Sequence, residues 1–363
     1  MSIDDRGSND TRAMLRNPAG MDIANYPKNT WWVAATSDEV TTDPYAVWML
    51  DVPVVIYRRA NGEPVALDNR CPHRAAPLSS GYVSGDRIVC GYHGFEFAPT
   101  GACEHIPTQD HIPVNCAVRS FPVVERAPLI WVWMGDPALC DEHEGPPDLP
   151  WALDPGRVTA SGRFEINCNY MALKENVLDL SHFGFVHAKT LGITDWTHPP
   201  VVETNDRGVT YSQMFDDLPL PAMYGVPTGI GCERKVDRRS WGTCVSPALH
   251  LSGLEIVDHD SSPGARRDFS VKIAHITTPI DPASCHYWWF FSQDYGHAEG
   301  ASHALKNKIE TAFLEDKQIL EATEALVRRD PRGTNYAMVG VDCDEAGLRA
   351  RRMISRATTA KRS

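Results

Sequence analysis

Two short stretches, Cys71-Pro-His73 and Cys90-Gly-Tyr-His93, lie 16 residues apart, each in a Pro- or Gly-rich loop between apparent strands. No other feature restricts the fold as strongly, because two thiol–imidazole pairs serving one centre must be presented from two neighbouring loop tips. The order within each pair is mixed, Cys-x-His and Cys-x2-His. Structural zinc sites favour Cys-x2–4-Cys and His-x3–5-His instead. A Cys2His2 zinc site, or cysteines and histidines that only fill a core, are the alternatives to a redox centre here.

One metal centre asks for this composition. In a Rieske [2Fe–2S] cluster two thiolates hold one iron and two imidazoles hold the other, which raises the potential above that of an all-Cys cluster. Cys71, His73, Cys90 and His93 are therefore the expected cluster ligands. Gly81, Gly91 and Gly94 would let backbone approach the sulfurs and donate hydrogen bonds to them.

A second constellation lies in Glu175-Asn-Val-Leu-Asp-Leu-Ser-His-Phe-Gly-Phe-Val-His187. Residues 175, 179 and 182 recur at i, i+4 and i+7, which predicts one polar face on a helix over roughly 170–187. His182 and His187 would then stand roughly 140° apart, so the helix must bulge or end near Gly184 for both to meet one metal. Two His and one carboxylate form the facial triad of non-heme iron oxygenases. In a predicted helix over about 302–329, Asp316 falls on the apolar stripe of Leu305, Ile309, Ala312, Phe313, Ile319, Leu320, Thr323, Leu326 and Val327, whereas Glu315 does not. A bare buried carboxylate is costly unless paired or metal-bound, which makes Asp316 the third ligand; a buried acid paired with Lys or Arg is the alternative.

Thirty-five Lys+Arg against 47 Asp+Glu give a net charge of −12, which repels nucleic-acid phosphates and anionic lipid. Neither nucleic acid nor membrane is an expected partner. The longest apolar run, residues 127–134, is eight long and reads as a buried strand, far short of the ~18 residues that span a bilayer. An acidic start without an apolar segment predicts a cytoplasmic protein, and ten scattered cysteines argue against a disulfide framework. Residues 1–25 read as a flexible leader. Residues 26–136 form an all-β domain with strands at 31–35, 46–50, 54–57 and 129–133. A Pro-rich linker over 137–156 precedes an α+β domain over 157–363, with strands near 158–168, 207–215, 243–257, 269–279 and 285–293 and a last helix at about 344–358.

The residues Cys71-Pro-His-Arg-Ala-Ala-Pro-Leu-Ser79, Cys90-Gly-Tyr-His-Gly-Phe-Glu-Phe97, Ser120-Phe-Pro-Val-Val-Glu-Arg126, Asn176-x2-Asp179-x2-His182-x4-His187 and Glu315-Asp-Lys317 together resemble the oxygenase component of a Rieske non-heme iron oxygenase. The resemblance is nearest to the vanillate and dicamba O-demethylase group and runs from about Trp31 to Met353. It implies a Rieske domain followed by a helix-grip catalytic domain, an antiparallel sheet with helices, carrying mononuclear Fe(II). It further implies a head-to-tail homotrimer in which Asp179 bridges His182 to a neighbour's His93, with Asn176 near the iron and His275 turned toward substrate. A strand histidine facing solvent is the alternative for His275, and Trp288, Trp289 and Phe290 are expected in the core. No nucleotide-binding Gly-x-Gly-x-x-Gly or ferredoxin Cys run is present, so electrons from NADH would come through a separate reductase or ferredoxin. The implied reaction inserts one O2-derived oxygen into a small aromatic substrate, O-demethylation first. Substituent hydroxylation, N-dealkylation, cis-dihydroxylation, or an electron carrier lacking mononuclear iron are the rivals. Segment 190–268 matches the family weakly, so the sequence does not name the substrate.

Overall fold

The computed structural model describes residues 26–142, 145–205, 208–260, 262–332 and 336–359; the leader expected over 1–25 lies outside the described residues. The described chain divides into two compact units, one built from Tyr26–Pro150 with Thr278–Asp281, the other from Trp151–Thr277 with the chain from Pro282 onward. The stretch expected as an extended linker contains 3-10 turns at Pro137–Glu142 and Pro150–Ala152, each opened by a proline whose fixed φ suits a turn's start.

The first unit is all β. Strand β1 (Trp31–Thr36) is followed by β2 (Tyr45–Met49), β3 (Val52–Arg58), β4 (Pro64–Asp68), β5 (Tyr82–Ser84), β6 (Arg87–Val89), β7 (Glu96–Phe97), β8 (Cys103–His105), β9 (Ser120–Phe121), β10 (Val123–Arg126) and β11 (Leu129–Trp133). They form three sheets in the orders β1-β11-β10, β2-β3-β4-β9 and β5-β6-β7-β8. All five residues of β11 are buried, as a short run of β-branched and aromatic residues flanked by turns requires.

The second unit is one seven-stranded sheet with helices. Its strands are β12 (Val158–Ile166), β13 (Val201–Asn205), β14 (Gly208–Pro219), β15 (Lys235–Cys244), β16 (Leu249–Asp258), β17 (Asp268–Asp281) and β18 (Ser284–Gln293), in the order β12-β18-β17-β16-β15-β14-β13. The helices are α1 (Tyr170–Leu178), α2 (Phe183–Val186), α3 (Ala222–Thr228), α4 (Ala301–Arg329) and α5 (Glu345–Thr359).

Three sequence expectations are corrected. Strand β15 escaped detection because its inward row is Val236, Arg238, Ser240, Gly242 and Cys244; the two-residue period is intact in burial but not in polarity. Gly242 is required there, since a Cβ would stand 2.4 Å from the Tyr211 ring. On α4 the buried residues are Leu305, Ile309, Ala312 and Asp316, while Ile319, Leu326 and Val327 are exposed, so the apolar stripe outruns the core. The helix expected over 170–187 is broken at Asp179, not near Gly184, which lies inside α2. Residues 175, 179 and 182 therefore do not share one helical face.

Candidate metal centres and the cavity

The loops carrying Cys71 and Cys90 repeat one backbone pattern. Cys71 N–H donates to Ala76 O and Ala75 N–H to Cys71 O, each at 2.9 Å; Cys90 N–H donates to Phe95 O at 2.8 Å and Gly94 N–H to Cys90 O at 3.0 Å. The equivalent residues Ala75 and Gly94 both adopt positive φ, 56° and 73°. The two loops can close on each other because a Cβ at Gly81 would lie 1.8 Å from Val89 O and one at Gly91 2.6 Å from Ser80 O. The result is a buried thiol pair, Cys71 and Cys90, beneath exposed His73 and His93 rings whose centroids are 4.5 Å apart. Burial pushes the Cys71 thiol up to about 11, and the neighbouring Cys90 adds to it. Two buried thiols side by side become a strong ligand set when a metal displaces their protons. Among the described residues these four atoms do not converge on a single-ion site, whereas a two-iron cluster needs its sulfur and nitrogen ligands apart.

The one set of three donors lying within 4.8 Å of one another among the described residues is His182, His187 and Asp316. The break after α1 builds it. Asp179 takes extended backbone angles (φ −121°, ψ 103°), its N–H bonds back to Asn176 and Glu175 carbonyls, and its Oδ1 accepts from Ser181 N–H at 2.9 Å. His182 then closes a 3-10 turn and His187 caps α2, so their ring centroids come to 5.2 Å. Asp316 Oδ1 stands 3.4 Å from His182 Nε2 and 3.2 Å from His187 Nε2, and accepts from Asn176 Nδ2 at 3.1 Å. Burial drives the Asp316 carboxyl up, but the two imidazoles beside it, His182 and His187, prevail and lower it to about 2.

Both imidazoles are oriented for metal. His182 Nδ1 bonds to the carbonyl of Asp179 at 2.6 Å and His187 Nδ1 to Glu315 Oε2 at 2.8 Å. An acceptor at Nδ1 leaves the lone pair on Nε2. His182 Nε2 is buried without a hydrogen-bond partner, the kind of orphan a metal would satisfy. Within this chain, His182 is thus held by the Asp179 main chain, while the carboxylate caps the next turn. Glu315, set aside on the sequence because it leaves the apolar stripe, instead reaches His187 and also accepts from the Thr190 hydroxyl. Only the fold could reveal this, since 128 residues separate the partners.

The three donors line a cavity of about 870 Å³, mouth included, whose wall also holds Asn176, Phe183, Trp196, Phe215 and Phe313. His275 is in that wall and buried, not solvent-facing, with Nδ1 2.7 Å from Tyr287 Oη and Nε2 3.3 Å from Ser252 Oγ. Burial brings its pKa down to about 3, so the ring is neutral. Trp288, Trp289 and Phe290 are core, and Phe291 supplies the cavity wall. Sequence reasoning also missed Arg238, whose buried guanidinium reaches the cavity from β15.

The Rieske [2Fe–2S] domain family matches residues 30–122, and the vanillate O-demethylase oxygenase C-terminal domain family matches residues 166–360. The chain is 33% identical over 342 residues to the toluene-4-sulfonate monooxygenase system iron-sulfur subunit TsaM1 of Comamonas testosteroni, covering 88% of this chain and 93% of that protein. It is 33% identical over 353 residues to the dicamba O-demethylase oxygenase component of Stenotrophomonas maltophilia, covering 91% and 97%. The crystal structure of dicamba monooxygenase bound to 3,6-dichlorosalicylic acid superimposes with a TM-score of 0.84 at 31% identity, over 93% of this chain and 99% of that one. Fold, donor sets and relatives converge: the chain belongs to the Rieske non-heme iron oxygenases of the vanillate O-demethylase type, as the oxygenase component of a multicomponent monooxygenase.

Proposed function

We propose that this chain inserts one O2-derived oxygen into a small aromatic substrate held in the cavity, with O-demethylation as its reaction. The observation that carries this is the His182–His187–Asp316 donor set opening directly into an aromatic-walled cavity. On this proposal His182, His187 and Asp316 hold Fe(II), and Cys71, His73, Cys90 and His93 hold the cluster. Bound iron supplies the redox chemistry that O2 activation demands. The chain's own residues do the rest. Glu315 and the Asp179 carbonyl fix the imidazole tautomers, Asn176 orients the Asp316 carboxylate, and Phe183, Trp196, Phe215 and Phe313 exclude water and stack an arene.

The exposed His73 and His93 rings support electron delivery through an imidazole edge. We place Asp179 on that route, receiving from a neighbouring subunit's cluster in a head-to-tail homotrimer. Electrons derive from NADH through a separate reductase or ferredoxin. The domain arrangement on this proposal is a Rieske domain over 26–136, a linker over 137–156 and the catalytic domain over 157–363. We assign the enzyme to the cytoplasm; no helix among the described residues is long and apolar enough to cross a membrane.

Anaerobic purification with iron and sulfide analysis tests the proposal. It expects about three iron and about two acid-labile sulfide per chain and a Rieske-type EPR signal on reduction. Asp316→Ala should lose the mononuclear iron and keep the cluster. About two iron and two sulfide in the parent protein, unchanged on Fe(II) addition, would mean an electron carrier instead.

A further inference from the structure

Arg238 occupies the inward row of β15 with its side chain only 3% exposed, and it is the one permanent cation among the described residues lining the cavity. Its guanidinium is fixed in plane by the Phe215 ring, 4.3 Å from the centroid. A guanidinium offers five N–H donors, and a purely structural Arg–carboxylate pair is frequently bidentate. Here one nitrogen, Nη2, meets Asp195 Oδ2, the other guanidinium nitrogens make no hydrogen bond among the described residues, and Asp195 Oδ1 is buried without a partner. Arg238 lines the cavity, whereas Asp195 is not among the lining residues. The pair therefore leaves donors and positive potential directed into the cavity.

Resting on the substrate-site reading above, we propose that Arg238 is a specificity-determining residue that selects arenes bearing an anionic substituent, a carboxylate or a sulfonate. Such a group entering an aromatic-walled cavity loses its hydration and must be paired, and a neutral His275 cannot supply the charge. A planar fork already stacked on Phe215 can take two oxygens at once without losing Asp195.

The test is calorimetric binding of 3-methoxybenzoate, benzenesulfonate and the neutral isostere 3-methoxybenzamide to the anaerobic holoenzyme and to Arg238→Gln, Arg238→Lys and Asp195→Asn. Arg238→Gln should weaken both acids by about 10–100-fold and the amide by less than about twofold. Arg238→Lys should recover part of the loss. Asp195→Asn, which removes the competing charge, should strengthen acid binding, a gain that a loop clamp would not produce. Equal loss of acids and amide in Arg238→Gln, unchanged acid binding there, or a parent enzyme without preference for the acids overturns the proposal. Iron analysis of each protein keeps the two readings apart. A failed oxygenase reading shows as absent mononuclear iron, a failed role for Arg238 as full iron with no charge preference.

Discussion

Replacing Glu315 with alanine removes the carboxylate that accepts from His187 Nδ1 at 2.8 Å while leaving all three proposed iron donors in place. Without that acceptor the ring can take the other tautomer, or rotate, and its Nε2 lone pair is no longer aimed at the centre. A hydrogen bond to a charged group contributes about 1.5–3 kcal/mol, and partners of this kind alter metal affinity by about 10–100-fold. Glu315 is 28% exposed, so solvent screens part of its charge and the lower end, about tenfold, is expected. Glu315→Gln keeps an acceptor oxygen but not the charge and should cost only about threefold, since the geometric part of the bond survives. The assay is Fe(II) affinity of the cluster-loaded protein by chelator competition, with cluster absorbance as the integrity control. A Glu315→Ala protein that binds Fe(II) within about twofold of the parent would refute the orienting role.

Three further outcomes are expected. Ala75→Gly relieves an alanine at φ 56° in the Cys71 loop and should stabilise the protein by about 0.5–1 kcal/mol, raising Tm by calorimetry by a few degrees; an unchanged or lower Tm would show that the unfolded-state entropy of glycine outweighs the relief. His275 is neutral in the fold, with its pKa lowered to about 3 by burial, reinforced by Lys174 and opposed by Asp316. Its contribution is complete above about pH 6.5 and is lost as pH falls toward 3, because the unfolded chain takes up a proton that the fold refuses, so His275→Gln should flatten urea-derived stability by at most about 1.4 kcal/mol per pH unit between pH 6 and 5. Identical slopes for the two proteins would mean that other groups set the acid limb. Asp179→Asn should keep both iron centres by EPR and metal analysis yet lose turnover, and full turnover would remove Asp179 from the electron route.

The candidate donors were legible in the one-dimensional chain because chemistry restricts which residues can serve. Few centres use mixed Cys/His pairs, and a carboxylate on an apolar helical stripe demands a partner, so the four loop residues, both histidines and Asp316 stood out, as did the strands rich in β-branched and aromatic residues. What the chain could not disclose depends on atoms brought together from distant positions. The helix break sits at Asp179 because that residue's backbone and carboxylate satisfy the turn on both sides, which no periodicity signals. Glu315 looks like a solvent-facing residue until α4 is laid beside His187, and β15 hides because its buried row holds Arg238, Ser240 and Gly242, whose burial depends on the cavity and on Tyr211. Local sequence determined which chemistry the chain can carry. Tertiary packing alone decided which nitrogen of His187 faces the centre and which charge lines the cavity, because the hydrogen bond to Glu315 spans 128 residues and the burial of Arg238 depends on the cavity wall around it.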